Sequence, residues 1–480
     1  MNYRMIKNVL GWLLIFEACF MLLPILTALI YKETKTLYAF LITVGILLAV
    51  GGLCVAFKPK KRELFAKEGF LIVSLSWILI SLFGALPFVF SGVTSSYVDA
   101  LFETVSGFTT TGASIFADVE SLPRAILIWR SFTHWVGGMG VLVFIMAFLP
   151  LSGGQNMHIM KAESPGPSVS KLVPRVRTTA LILYAIYSIF TVLEIVLLLC
   201  GRVSLFEAVN TALSTAGTGG FGFRNDSFAG FSSYVQIVVS VFMLLFSVNF
   251  ASYYLLWKRK WRDVLNTELR LFLVIVLSAI TLITVELLYN GIYESIGEAA
   301  KHSLFSVSAI ISTTGFTSVN FDLWPSLSKS ILVILMFVGA CAGSTGGGIK
   351  VSRLMIFFKT VGREISAILH PKQVKKSTVD GKAVEDSVVR SVCAYMAAYV
   401  LVFVAALLLI SVDGKDLVTS FTAVTATFNN IGVGLSEIGP AGSWAGFSVF
   451  SKIVLSITML IGRLELFPML LLFSPRTWRK

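Results

Sequence analysis

Four short runs of threonine and glycine carry the coordination chemistry that stands out in this sequence. Thr110, Thr111 and Gly112 lie in FTTTGAS (108–114), and Thr218, Gly219 and Gly220 in GTGGF (217–221). Thr313, Thr314 and Gly315 lie in STTGF (312–316), and Asn430, Ile431 and Gly432 in NNIGVG (429–434). Their final glycines recur 95 to 117 residues apart. A dehydrated monovalent cation needs several oxygen ligands at close range. Stacked backbone carbonyls from symmetric loops supply them without a formal charge that would trap the ion. Glycine admits the dihedrals that turn successive carbonyls inward. One Thr-Thr-Gly is an ordinary turn, but four at matched spacing, each between paired apolar spans, predict a cation filter. The fourth run lacks the threonine, and GTGG leaves the register of the second open by one residue.

The elements that hold these loops are predicted to be membrane helices. The 480 residues are 56% hydrophobic and 14% charged, and the mean hydropathy of +0.84 lies far outside the range of soluble domains. Apolar stretches of about 20 residues, enough to cross roughly 30 Å of hydrocarbon as a helix, recur along the chain. Two leading spans fall at 9–31 and 37–57; the first is followed by another span rather than a cleavage site and reads as a retained helix. Paired spans then follow at 69–90 and 122–149, 178–200 and 231–257, 268–289 and 326–358, and 388–411 and 445–473. They enclose amphipathic stretches at 96–107, 205–216, 297–312 and 416–429, each too short to cross and return. A re-entrant half-helix with an extended return is the simplest geometry, tolerated at membrane depth only where it lines a water-filled path. Each half-helix would point its negative C-terminal end at the path. The predicted fold is an all-α membrane protein: two leading transmembrane helices, then four helix–pore-loop–helix repeats around a central pore. The boundaries are 1–62 for the leading helices and 63–160, 161–262, 263–370 and 371–480 for the repeats, the third carrying a gate loop.

The net charge of +13 is a topology signal rather than a nucleic-acid footprint. Lysines and arginines cluster at 58–67, 161–177, 258–270, 359–390 and 476–480, all on one side if the N-terminus is cytoplasmic. The other side would carry Asp99, Glu103, Asp118, Glu120, Glu207, Asp226, Glu294, Glu298, Asp322, Asp413, Asp416 and Glu437, a mouth that concentrates cations by its field. Cys19, Cys54, Cys200, Cys341 and Cys393 are scattered singly in apolar segments and read as small buried hydrophobes.

The third inner span is interrupted by GACAGSTGGGIK (339–350). This run cannot remain a stable helix, because each glycine costs about 1 kcal/mol relative to alanine. It is either a packing notch or a loop that blocks the path below the filter. A phosphate-binding loop is excluded, because Gly343 and Gly348 are followed by Ile349 and Lys350 rather than by Lys then Ser or Thr. Arg463 and Glu465 interrupt the last apolar span, where ionisable groups usually face a polar interior or pair with one another. His134 reads as a hydrogen-bonded packing residue, and Arg130, Glu17, Glu194 and Glu286 receive no role.

The four Thr/Gly runs, with HWVGGMG at 134–140, resemble the Trk/Ktr/HKT superfamily of potassium transporters over nearly the whole chain. The two leading spans resemble its Trk branch. The resemblance implies bacterial potassium uptake through the filter residues named above, with glycine at 112, 220, 315 and 432 going with potassium preference. It implies an intramembrane gate at Gly343, Ser344, Thr345, Gly346, Gly347 and Gly348, with Arg463 as an electrostatic barrier beside it. It also implies an inner-membrane homodimer with cytoplasmic termini and a cytosolic TrkA-like nucleotide-binding regulatory subunit. Potassium is expected as substrate, with no tightly bound cofactor, no nucleic acid and no enzymatic activity. The alternative is a sodium-coupled transporter of an organic solute, which predicts inverted repeats instead of four units running in one direction.

Overall fold

The computed structural model describes residues 2–57, 66–140, 176–371 and 378–478. The basic residues expected at 58–62, 161–175 and 479–480, and the end of the first inner span at 141–149, lie outside these residues. Among the described residues six helices are long and apolar enough to cross a membrane, or seven if a bent pair is one span.

The leading span runs as Tyr3–Phe20 and Leu22–Ile30. It jogs at Met21 because Pro24 has no N–H to return to Phe20. Thr34–Ala56 packs along it, and closely, because Gly11 and Gly51 face each other; a Cβ on Gly11 would lie 2.8 Å from the Gly51 carbonyl oxygen. Small residues at a helix contact are how packing replaces the missing hydrophobic drive inside a bilayer.

Four repeats follow, each an outer helix, a short helix, an extended return and an inner helix. The outer helices are Ala66–Gly84 (continued as Leu86–Phe90), Val176–Cys200, Thr267–Tyr289 and Asp386–Ile410. The short helices are Tyr97–Phe108, Leu205–Ala216, Ile296–Ile311 and Leu417–Phe428. Three of the four are started by a side-chain cap, from Ser96, Ser204 and Asp416 to the N–H of Asp99, Glu207 and Thr419 respectively. The inner helices begin as Arg124–Gly138, Ser233–Ser247, Ser326–Val338 and Val449–Arg463.

The inner helices correct the sequence reading. Only the third was expected to break along its length, yet none of the four runs straight through. The second turns by 91° between Ser247 and Phe250, and the fourth breaks after Arg463, where Glu465 and Leu466 have φ of +59° and +56°. The first ends at Gly138, with Gly140 at φ +87°. The third gives way to the loop 339–350 before resuming as Val351–Leu369. A two-residue-stranded hairpin, Thr378–Val379 with Lys382–Ala383, is the sole β-structure among the described residues.

Candidate ion pathway

The four Thr/Gly runs have one backbone conformation. Each short helix ends in a Schellman cap. Thr111, Gly219, Thr314 and Ile431 return their N–H to Ser106, Ser214, Ala309 and Ala426, at 2.8 to 2.9 Å. The residue before each of them is left-handed: Thr110 (φ +56°), Thr218 (+53°), Thr313 (+61°) and Asn430 (+56°). The residue after is left-handed too: Gly112 (+80°), Gly220 (+83°), Gly315 (+77°) and Gly432 (+79°). Both signals fix the register of the second loop as Thr218, Gly219, Gly220. A left-handed threonine costs roughly 1–2 kcal/mol, and paying it three times marks a backbone held for a purpose.

The loops close into a ring. A Cβ on Gly112 would overlap the carbonyl oxygen of Gly219, one on Gly220 that of Thr314, one on Gly315 that of Ile431, and one on Gly432 that of Thr111. Each glycine therefore abuts the middle carbonyl of the next loop, and the fourth returns to the first. The constant sense of this contact means that the repeats run in the same direction. All four glycines line one cleft of about 130 Å³. Beside the ring, the hydroxyl of Thr110 and the side-chain oxygen of Asn430 are buried without a hydrogen-bond partner among the described residues.

The extended returns make a second closed circuit above the ring. Val119 N–H donates to Asn225 Oδ1 (2.8 Å), and Phe228 N–H to the Thr317 carbonyl (2.8 Å). Ser436 N–H donates to Asp322 (3.2 Å), and Trp444 N–H to the Ser114 carbonyl (3.2 Å). Asn225 Nδ2 also donates to Asp118 (2.9 Å), a bond that leads in holding this exposed carboxyl below its ordinary pKa. Of the twelve acidic residues expected at this mouth, four are held in ion pairs. Asp99 pairs with Lys452 (2.7 Å), Glu207 with Arg224 (2.8 Å), Glu437 with Lys415 (2.6 Å), and Glu103 is buried against Arg130 (2.7 Å).

Beneath the ring lies the loop 339–350. Gly347 donates its N–H to Thr313 Oγ1 (2.7 Å), and a Cβ there would strike the Asn429 carbonyl. Gly346 sits against the Ser312 carbonyl, and its own carbonyl accepts the Lys350 ammonium. Gly343 and Gly348 turn with φ of +73° and +77°, and Ser344 Oγ closes on the Cys341 carbonyl (2.6 Å). Thr345 Oγ1 donates to the Phe246 carbonyl (3.1 Å), joining the loop to the break in the second inner helix. Arg463 donates to the carbonyls of Thr345 (2.7 Å), Gly137 (2.6 Å) and Gly138 (2.6 Å). One guanidinium thus ties the third and fourth repeats to the C-terminal end of the first inner helix. Glu465 pairs with Arg353, an inter-helix ion pair of the kind the sequence left open.

Comparison with known proteins fits this architecture. A profile of the TrkH family, described as a cation transport protein, matches residues 37–480. The chain is 35% identical over 489 residues to the Trk system potassium uptake protein TrkH of Escherichia coli (strain K12), covering 100% of both. It is 36% identical over 484 residues to the Trk system potassium uptake protein TrkG of the same strain, covering 100% of this chain and 99% of that one. The crystal structure of the potassium transporter TrkH from Vibrio parahaemolyticus matches with a TM-score of 0.90 and 34% identity, covering 100% of both chains. The chain belongs to the TrkH family.

In this TrkH-family chain two braces of the ring escaped sequence reasoning. His134 is the buried, hydrogen-bonded residue its sequence context predicts, and its two bonds join the first short helix to the second loop, which spacing did not show. Its Nδ1 meets the Gly107 carbonyl (2.9 Å), and its Nε2 accepts the Phe221 N–H (3.3 Å), so the tautomer protonated at Nδ1 is required. Arg130, left without a role, bonds Glu103, Ser114 (3.0 Å) and the Gly222 carbonyl (3.1 Å), with its guanidinium over the Phe221 ring. Glu103 in turn accepts the Ile115 N–H (2.9 Å). An ionisable pair inside apolar helices was the available signal; which loops it touched was not readable from spacing.

Proposed function

We propose that this chain is the pore-forming subunit of a Trk-type potassium uptake system in the bacterial inner membrane, with both termini cytoplasmic. The observation that carries the reading is the closed ring of four left-handed glycines. It turns carbonyls of equivalent positions toward one axis, where they replace the hydration shell of a cation. On this reading the filter is Thr110, Thr111, Gly112, Thr218, Gly219, Gly220, Thr313, Thr314, Gly315, Asn430, Ile431 and Gly432. The gate is the stretch 343–348 with Arg463: the stretch occupies the space under the ring, and the arginine places a positive charge beside it. The repeats divide at 63, 161, 263 and 371. Membership of the TrkH family supports a homodimer, each protomer with its own pore, acting with a cytosolic nucleotide-binding subunit.

The test is potassium against sodium flux into liposomes containing the purified chain. Potassium is preferred in the unaltered protein. Gly112→Ser, which adds a side chain against the Gly219 carbonyl, weakens discrimination against sodium. Flux of neither ion, or unchanged selectivity after substitution at all four ring glycines, overturns the assignment.

A further inference from the structure

A single carboxylate oxygen holds both ends of the loop beneath the ring. Glu268 Oε1 accepts the N–H of Ala342 (2.7 Å) and the N–H of Ser352 (3.2 Å). These two residues bracket the stretch 343–348. Glu268 is buried and stands in the first turn of the outer helix Thr267–Tyr289. Ser352 stands in the first turn of Val351–Leu369. The carboxylate is therefore placed at the N-termini of two helices, where their dipoles favour an anion.

The neighbouring residue reaches the protein surface. Thr267 donates both its N–H (2.7 Å) and its hydroxyl (2.6 Å) to Asp380 Oδ1. Asp380 and Gly381, at φ +49° and +75°, are the exposed two-residue turn of the hairpin 378–383. The hairpin does not hang free. Lys359 Nζ donates to the Thr378 carbonyl (2.6 Å), and Val379 packs on the cluster of Ile356, Val389 and Val392. A load on this turn thus reaches Thr267 through two hydrogen bonds and the loop through the next residue along the chain.

Resting on the reading of 343–348 as a gate, we infer that Glu268 is the positioning residue that latches it closed. The Asp380 turn is its surface handle: displacing the turn frees Thr267 and with it loosens the latch. Losing a charged acceptor shared by two buried N–H groups shifts a two-state loop by on the order of ten-fold.

The experiment measures basal potassium flux, without any partner, in liposomes of the full chain, with the potassium-to-sodium ratio read in parallel. Glu268→Ala raises basal flux about ten-fold and leaves the ratio unchanged. Glu268→Gln, which keeps an oxygen acceptor for both N–H groups but loses the charge, gives a clearly smaller rise than alanine. Asp380→Ala, on the surface, gives a smaller rise and adds nothing in the Glu268→Ala background. Equal flux for the Ala and Gln variants, or a rise accompanied by lost selectivity, overturns the latch. An Asp380→Ala effect that is absent or fully additive overturns the handle, and this exposed variant decides alone if Glu268→Ala does not fold. Deletion of 344–347 runs alongside: no gain there removes the gate reading itself, while a gain there with none from Glu268→Ala removes only the latch.

Discussion

The ring and the layer directly beneath it are built on opposite rules. In the ring, four loops of different sequence share one backbone: the middle position is Thr111, Gly219, Thr314 or Ile431, yet φ before and after it repeats within 8°. One layer lower, four inner helices all break and no two break alike. Gly138 ends the first, Asn249 caps a sharp bend in the second, a glycine-rich loop interrupts the third, and Glu465 and Leu466 kink the fourth. On the proposed reading, symmetry is kept where four carbonyls act on one ion together. It is abandoned one layer lower, where the loop of the third repeat bonds Phe246 of the second and Arg463 of the fourth, and Arg463 in turn reaches Gly137 of the first.

The sharpest way to separate the layers is to remove part of the lower one. Deleting 344–347 takes out Thr345 and Gly346, which contact Arg463 and the Ser312 carbonyl, together with Gly347, which donates to Thr313. Basal potassium flux into liposomes rises by the largest factor of any change considered. Selectivity largely survives, because the Schellman caps that shape the ring are internal to the short helices. Parallel loss of selectivity would mean that the two layers are one structure.

A smaller effect tests how Arg463 acts. A fixed positive charge repels a cation by on the order of 4 kcal/mol at 4 Å and an effective dielectric of 20. The same side chain is also a three-way tether. Arg463→Ala removes both and raises flux. Arg463→Lys keeps the charge but cannot reproduce the planar fork. Flux close to the parent in the lysine variant assigns the barrier to charge, whereas flux near that of alanine assigns it to the tether. If alanine abolishes conduction in a folded protein, Arg463 is structural.

The same contrast explains what could be read before any coordinates. The ring was legible because left-handed turns demand glycine, and four recurrences at matched spacing are improbable by chance. The second loop was not fully legible, since GTGG offers two glycines after its threonine, and the caps to Ser214 and Thr215 with the left-handed φ of Thr218 and Gly220 choose between registers. Breaks below the ring were legible only where glycine caused them. At the second inner helix the run Ser247, Val248, Asn249, Phe250 holds neither glycine nor proline. Its one signal is Asn249, whose Oδ1 accepts the Ala251 N–H (2.9 Å) as an N-cap. Contacts such as Arg353 with Glu465, 112 residues apart, exist only once the repeats have assembled. The pairing of Asp99 with Lys452, 353 residues apart, is of the same kind.

The fourth loop supplies the finest test, because there the ring departs from its own rule. It has asparagine where the others have threonine, and its glycine carbonyl is held from outside: Trp444 Nε1 donates to the Gly432 oxygen (3.0 Å). A carbonyl with one lone pair engaged is a weaker ligand for a cation, but it is also better fixed in place. Trp444→Phe removes the donor and keeps the ring contacts to Phe102 and Phe447. A neutral hydrogen bond is worth about 0.5–1.5 kcal/mol net, so the change in the potassium-to-sodium ratio stays within about ten-fold. The ratio falls a few-fold if Trp444 substitutes for the missing threonine as a brace, which is the outcome the geometry favours, since Asn430 also spends its amide on Thr111 (2.9 Å) and the Met459 carbonyl (3.0 Å) to hold the same loop. A ratio that rises instead would show the indole competing with the ion, and the fourth loop would then be the weak quarter of the ring.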